Sequence, residues 1–315
     1  MSITPTAGQS PSNKQISKKS LAILTTALLV LAGFVFYFSQ EPDLPRLEPK
    51  ETQPSFKRTI IPNRDIFYNA QLFSAALASV KSSAPNASWP GAVVVPHHLL
   101  AANIIANTLA RASLAEIETV VLIGPNHDDK NASTIATAQL EWQTPVGSVI
   151  TAGGLVDKFL SDFRLQPLPE PFLNEHSVGA IVPFVRHYFP QAQVVPIIFN
   201  STASLSDAQA VARWLVANLK ERSLVVVSTD FSHYLTQEEA EKNDKITKQL
   251  ILNQKVEAIM GLSNAFVDSP PSLATVLFFT KGRSAAPEVL YHANANDFSE
   301  RPFRETTSYF GIIFN

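Results

Sequence analysis

The chain contains no cysteine among its 315 residues. This absence excludes disulfides, thiolate metal ligands and cysteine nucleophiles, so any chemistry must use His, Asp, Glu, Ser, Thr or Tyr. The net charge of -2 gives no support for a nucleic-acid-binding surface, and we expect no nucleic-acid partner. No G-x-S-x-G sequence is present, and neither Ser228 nor Ser232 has an acid placed to orient His233, which disfavours a seryl hydrolase.

An uncharged apolar run sets the N-terminus apart. Residues 20–40 carry no charge, and residues 21–38 (LAILTTALLVLAGFVFYF) are long enough, at about 1.5 Å per residue, to cross most of a bilayer. Three lysines precede the run, whereas Glu41 and Asp43 follow it. The positive-inside rule therefore predicts a single-pass anchor in the cell membrane, with a cytoplasmic N-terminus and an extracytoplasmic main domain. A cleaved signal peptide is the alternative.

Composition divides the chain into four parts. Residues 1–19 are rich in Ser, Thr, Gln, Pro and Lys, which predicts a disordered cytoplasmic tail. Residues 20–40 form the predicted transmembrane anchor. Residues 41–57 carry four prolines and alternating charge, which is typical of an extended linker. Residues 58–315 are the predicted folded domain.

Short apolar runs alternate with amphipathic stretches from residue 92 onward, which predicts an α/β domain with a mainly parallel sheet. Strands are predicted at 92–95, 120–123, 194–198, 224–227 and 308–314. Helices are predicted at 101–112, 155–163, 178–188, 207–219 and 238–252. Two helix starts carry the pattern of a capping box, Ser204 with Asp207 and Thr236 with Glu239.

Imidazoles and a carboxylate follow three of the predicted strands. His97 follows VVVP, and His127 follows VVLIGPN. Asp230 and His233 lie in VVVSTDFSHY. Because ligands of open α/β sheets bind beyond the carboxyl ends of the strands, these residues predict a metal or proton-transfer site. Adjacent side chains of an extended segment point apart, so we expect His97 rather than His98 at the metal.

Two further segments contribute candidates. In GPNHDD (124–129), Gly124 allows a tight turn or the close approach of a ligand, and the two aspartates either orient His127 or are solvated. In EHS (175–177), Ser177 is the predicted N-cap of the next helix, and Glu175 or His176 can reach the crevice. His176 is our candidate. The remaining histidines, at 187 and 292, have no comparable context.

Several motifs, taken in order, resemble the Memo family, also called protein B of the AmmeMemoRadiSam system. They are PH (96–97), GPNH (124–127), WQTPVG (142–147), EHS (175–177), VPFV (182–185), VVPII (194–198), VVVSTDFSHY (225–234) and TSYFG (307–311). The resemblance covers residues 91–314. It implies a three-layer α/β/α fold similar to that of the LigB-type extradiol dioxygenases, and it implies components of the AmmeMemoRadiSam system as partners.

The resemblance also implies a ligand set. His97 and His127 would bind a metal, and Asp230 and His233 would line the same pocket. Where the family has a ligating cysteine, this chain reads AFVDSPPS (265–272), so Asp268 stands at the position of the thiolate. Two histidines and a carboxylate are typical of non-haem Fe(II) enzymes. We therefore expect Fe(II), with Zn(II) or Mn(II) as alternatives, and Cu(I) is disfavoured.

These observations predict a membrane-anchored metalloprotein of the Memo type with a mononuclear site. In the first interpretation it is a dioxygenase-like, non-haem metal-dependent oxidoreductase acting on a small molecule, with His233, Asp230 and His176 as catalytic residues. In the second, the same ligands lower the pKa of a bound water in a hydrolase. In the third, the site is degenerate and the domain is a non-catalytic binding or scaffold module.

Overall fold

The computed structural model describes residues 56–62, 67–81, 91–113, 116–129 and 133–315. These stretches belong to one compact unit, Pro54–Asn315. The predicted tail (1–19), the predicted membrane anchor (20–40) and the predicted linker up to residue 55 lie outside the described residues. Within the described stretches, no helix is both long enough and apolar enough to span a bilayer.

Eleven strands form in the described part of the chain. They are β1 (Thr59–Ile61), β2 (Ala92–Val95), β3 (Thr119–Pro125), β4 (Ile135–Ala136), β5 (Leu140–Thr144), β6 (Gly147–Ile150), β7 (Gln193–Phe199), β8 (Ser223–Ser228), β9 (Phe231–Leu235), β10 (Pro287–Asn294) and β11 (Thr306–Phe314). All five predicted strands are present, as β2, β3, β7, β8 and β11. Strands β1, β5 and β6 form a small sheet of their own.

The main sheet is mixed rather than mainly parallel, so that prediction is wrong. Strands β2, β8, β3 and β7 lie side by side in this order and pair in parallel. Around them, β11 pairs antiparallel with β2, β10 and β9, and β4 pairs antiparallel with β7. The apolar run at 308–314 marks a buried strand, but hydrophobicity contains no information about strand direction.

The described α-helices lie between the strands, singly or in runs of three. They are α1 (Ala70–Ala78), α2 (Ala102–Ala112), α3 (Gly153–Phe163), α4 (His176–Gly179), α5 (Val182–Tyr188), α6 (Leu205–Asn218), α7 (Gln237–Leu252), α8 (Val256–Met260) and α9 (Pro270–Lys281). Both predicted capping boxes are present, at the starts of α6 and α7. The α/β class is confirmed.

Alternate side chains of the central strands enter two different hydrophobic cores. Val94 and Val121 belong to one core, which contains residues of α3, α6, α8 and α9. Val93 and Val120 belong to the other, which contains residues of α1, α2 and α5. Because side chains alternate between the faces of a strand, the two cores lie on opposite faces of the sheet. Helices therefore cover both faces, and the strand ends remain available for polar residues.

The helix predicted at 178–188 is wrong as a single element, because the segment forms two short helices, α4 and α5. Pro183 lies in the first turn of α5. Inside a continuous helix it would remove a backbone hydrogen bond and clash with the preceding turn, so the helix restarts instead. The predicted N-cap Ser177 is also wrong: Glu175 caps α4, and its side chain accepts from the Ser177 amide.

Candidate metal centre

Parallel pairing of β2 and β8 brings His97 and Asp230 to the same edge of the sheet. Val95 pairs with Ser228, and His97 and Asp230 each come two residues later. The His97 amide donates to Asp230 Oδ1 at 3.0 Å. Both side chains are buried, at 1% and 4% exposure. The strand register therefore determines this part of the site.

Asp268 reaches the site from the loop before α9 and is held there by its neighbours. Its amide donates to the carbonyl oxygen of Asp230 at 3.1 Å, and the Asp230 amide donates to its Oδ2 at 3.1 Å. The Thr229 hydroxyl donates to its Oδ1. These bonds direct Oδ2 toward His97, whose Nε2 lies 3.2 Å away.

Glu175 orients His127. Its Oε1 lies 2.7 Å from His127 Nδ1, and its Oε2 accepts from the His127 amide at 2.7 Å. With Nδ1 bonded to a carboxylate, Nε2 offers its lone pair, which is a common arrangement of metal-binding histidines. The acid on this imidazole is thus Glu175, whereas Asp129 accepts from Ser201.

Gly124 allows α4 to approach the end of β3. A Cβ at this position would lie 2.5 Å from the Ser177 hydroxyl oxygen. That hydroxyl donates to the carbonyl oxygen of Pro125 at 2.9 Å. The close approach predicted at Gly124 is therefore to α4, and it brings Glu175 and His176 beside His127.

Two groups of ligand atoms come together at the strand ends and share His97. One contains His97, His127 and His176, and the other contains His97, Asp230 and Asp268. Within each group, one ligand atom per residue lies within 4.8 Å of the others. Asp268 Oδ2 connects the groups, because it lies 3.2 Å from His97 Nε2 and 4.0 Å from His127 Nε2. The described structure thus contains a His/His/carboxylate group that can hold a metal ion.

Charge compensation in the cluster is visible at His97. Burial lowers the pKa of this imidazole, but the carboxylates of Asp230 and Asp268 outweigh burial and raise it to about 9. Burial raises the pKa of the Asp268 carboxyl, but the neighbouring His97 lowers it by more. The pKa of this carboxyl is therefore below its usual value. A cation is therefore favoured among these carboxylates, and a metal ion at this position would compete with the proton on His97.

The pKa values of His176 and Glu175 are also shifted by their surroundings. Burial, together with the nearby His97 and His127, lowers the pKa of His176 to about 4, so its ring is neutral at neutral pH. Burial raises the pKa of Glu175, but its hydrogen bonds with His127 lower the pKa by more. The carboxylate is therefore ionised. Neutral imidazoles and ionised carboxylates are the forms that bind metals.

A cavity of about 630 Å³ opens onto the cluster. His97, His127, His176, Asp230, His233 and Asp268 all contribute to its wall. His233 Nδ1 is buried and has no hydrogen-bond partner in the described structure. A buried ring nitrogen without a partner is costly, and because Nδ1 is closed to the cavity, the rest of the half-buried ring is what can face a ligand there.

A second cavity, of about 500 Å³, lies against the same side chains. It shares His127, Asn264 and Asp268 with the first. Phe199 and Pro271 are among its apolar lining residues. The cluster is therefore bordered by two volumes, each large enough for a small molecule.

The remaining histidines contact residues outside the two groups of ligand atoms. His98 Nδ1 lies 2.5 Å from the Tyr309 hydroxyl, and His98 belongs to neither group of ligand atoms. His292 Nε2 lies 2.8 Å from the buried Asp244. His187 is exposed on α5 and contacts the ring of Tyr188.

Sequence reasoning missed several supporting residues. Ser228 lies 3.2 Å from His97 Nδ1, and Thr229 fixes Asp268. Both lie inside the STDFSH segment, where a hydroxyl pair directly before a strand-end carboxylate could have signalled them. Tyr309 comes from β11, far along the chain from His98, and no local pattern predicts that contact.

Comparisons with known proteins agree with the motif pattern. The family model described as Memo-like protein matches residues 67–268. A MEMO1 family protein of Pyrobaculum aerophilum is 28% identical over 216 residues, covering 65% of this chain and 75% of the relative. A MEMO1 family protein of Aquifex aeolicus is 28% identical over 247 residues, covering 71% of this chain and 86% of the relative.

A solved structure extends the comparison to the fold. An uncharacterized protein of Escherichia coli K12 superposes with a TM-score of 0.51 at 11% sequence identity. The match covers 71% of this chain and 99% of that protein. At this identity the likeness concerns the fold alone.

Proposed function

Because this chain belongs to the Memo family, we propose that it is a metalloprotein in which His97, His127 and Asp268 hold one divalent ion. The observation that supports this most directly is Asp268 Oδ2, at 3.2 Å from His97 Nε2 and 4.0 Å from His127 Nε2. Ligands bind such ions at about 2.0–2.2 Å, so two donors of one ion lie at most about 4.4 Å apart. Both distances satisfy this limit.

The donor chemistry favours Fe(II), with Zn(II) or Mn(II) as alternatives. Two imidazoles and a carboxylate are typical of non-haem Fe(II) sites, and without sulfur the set has little preference for Cu(I). When bound, the ion would supply Lewis acidity and, if it is iron, one-electron redox chemistry. We propose oxidation of a small molecule, with O₂ as the co-substrate that takes up the electrons, as the reaction class.

The residues around the ligands have distinct proposed roles. Glu175 keeps the Nε2 lone pair of His127 directed at the ion by binding Nδ1. His233 accepts or delivers a proton in the cavity of about 630 Å³, because its half-buried ring lines that cavity. Asp230 fixes the backbone of His97 and adds negative charge beside it. The two adjoining cavities suit separate approaches for a substrate and a small co-substrate.

Elemental analysis of the full chain, purified anaerobically, tests this proposal. Stoichiometric iron would support the oxidoreductase. Stoichiometric zinc would support the second candidate, a hydrolase at the same site, in which His97, His127 and Asp268 would hold a metal that lowers the pKa of a bound water. A chain that holds no metal, even after incubation with Fe(II) and Zn(II), would contradict both and favour the binding or scaffold module.

We also propose that residues 20–40 anchor the domain in the cell membrane and that the domain faces outward. The support is the uncharged run, with lysines before it and acids after it. A pair of reporters fused after Asn315 tests the orientation: an enzyme active only outside the cytoplasm should work, and one active only in the cytoplasm should fail. The opposite pattern would overturn this topology.

A further inference from the structure

Three imidazoles, rather than two, face one another at the strand ends. The ring centroids of His97 and His176 are 4.9 Å apart with the planes at 88°, and those of His97 and His127 are 5.1 Å apart at 89°. His127 and His176 stack at 4.1 Å and 25°. His97 thus presents its ring edge-on to a stacked pair of imidazoles.

The position of His176 is fixed by the groups that fix His127. Glu175 binds His127 through its side chain and also accepts from the Ser177 amide at 2.8 Å. The Ser177 hydroxyl joins α4 to the end of β3. His176 stands between these two anchored residues, so its side chain starts from a rigid backbone.

In the described part of the chain, the His176 ring has no hydrogen bond that would explain its place. Glu175 Oε1 lies 3.8 Å from its Nδ1, beyond hydrogen-bonding distance, and that oxygen already binds His127. A ring nitrogen of His176 lies within 4.8 Å of ligand atoms of His97 and His127. Donors of one ion lie at most about 4.2 Å apart when the metal–nitrogen distance is about 2.1 Å, so the His176 ring must turn out of its stack on His127 to direct this nitrogen at the ion.

Asp230, the competing third donor, is engaged through its Oδ1 and its backbone. Its Oδ1 accepts from the His97 amide, and its Oδ2 lies 3.6 Å from His97 Nε2. Its backbone also forms both hydrogen bonds that join it to Asp268. These contacts give Asp230 a positioning role between the two ligands.

We infer that His176 is a third imidazole ligand of the ion held by His97, His127 and Asp268, an inference that rests on the proposed metal site. His176 then belongs to the ion rather than to proton transfer, which remains with His233. Three nitrogens and one carboxylate oxygen select borderline divalent ions such as Zn(II), Fe(II) and Co(II). They disfavour Mg(II) and Ca(II), which prefer oxygen ligands.

Zinc X-ray absorption of the full chain loaded with one equivalent of Zn(II) tests the inference without any activity assay. Scattering from imidazole rings should count three histidines in the wild type and two in His176→Ala. Zinc affinity, measured by competition with a chelator, should fall at least about tenfold in His176→Ala. The matched control His187→Ala removes an exposed imidazole from α5 and should leave both values unchanged.

The outcomes separate this inference from the metal site itself. Two imidazoles in the wild type, with unchanged affinity in His176→Ala, would overturn the inference and leave the site of His97, His127 and Asp268 intact. A wild type that binds no stoichiometric zinc would overturn both. If His176→Ala fails to fold, the number of imidazoles counted in the wild type still tests the inference. In addition, His176→Gly with added free imidazole should regain the third imidazole ligand if the inference is right.

Discussion

Two histidine–carboxylate pairs in this domain are nearly identical by distance and burial. His127 Nδ1 lies 2.7 Å from Glu175, with the side chains 35% and 2% exposed. His292 Nε2 lies 2.8 Å from Asp244, with the side chains 36% and 1% exposed. A buried acid beside a half-exposed imidazole is therefore not enough to identify a functional site.

The two pairs differ in what lies beyond the imidazole. His127 uses Nδ1 for its carboxylate, and its Nε2 faces Asp268 Oδ2 at 4.0 Å. His292 uses Nε2 for its carboxylate, and its ring stacks on Phe310 at 4.3 Å. In the first pair, the free Nε2 of His127 faces other possible ligands. The second pair contributes to the packing of β10 against α7. This contrast can be tested by parallel substitutions.

The largest difference in metal binding is expected between His127→Ala and His292→Ala. Loss of the His127 imidazole should abolish stoichiometric metal binding, while the fold persists because the main-chain amides of residue 127 and Ser177 still satisfy Glu175. His292→Ala should bind metal as the wild type does. Metal analysis after gel filtration measures both, and full occupancy in His127→Ala would show that this residue is not a ligand.

Strand patterns in the sequence were enough to bring His97, His127 and Asp230 to one edge, because each follows a buried run and the carboxyl ends of parallel strands meet. The pairing of Glu175 with His127 was not predictable, since α4 is brought to β3 by tertiary packing at Gly124. The direction of β11 was likewise undetermined. The roles of the gathered residues remain predictions.

Substitution of the two carboxylates, Glu175 and Asp244, should produce a smaller difference in metal affinity. Glu175→Gln removes the charge that orients His127, and metal affinity should fall by about 10–100-fold, as other losses of a residue supporting a ligand do. Asp244→Asn changes the matching acid outside the cluster and should leave affinity unchanged. Competition titrations with a chelator provide the comparison. Equal losses in the two variants would mean that general destabilisation, not orientation, controls binding.

Metal affinity should also depend on pH, because the pKa of His97 is raised to about 9. Below that value an ion must displace the His97 proton, so apparent affinity should rise by up to about tenfold per pH unit and level off near pH 9. Calorimetry in two buffers of different ionisation enthalpy should detect the released proton at pH 7.5. Affinity that does not change with pH would indicate that His97 is neutral before binding.

The smallest expected effect concerns stability. His292→Ala leaves one oxygen of Asp244 without its imidazole, although Ser232 still donates to the other at 2.7 Å. Because the His292 side chain is 36% exposed, water can replace part of the bond, and we expect a loss of about 1 kcal/mol in the free energy of unfolding. Denaturant titration measures this. A loss of metal binding instead would connect this pair to the cluster.

The most direct test of the central claim is metal preference at residue 268. Wild-type chain should bind one Fe(II) per molecule and prefer it to Cu(I), because the carboxylate of Asp268 is a hard ligand. Asp268→Ala should weaken Fe(II) binding by at least about 10–100-fold, and Asp268→Cys should shift preference toward Cu(I). Unchanged Fe(II) affinity in Asp268→Ala would contradict the account, because the oxygen that lies 3.2 Å from His97 would then not be a ligand.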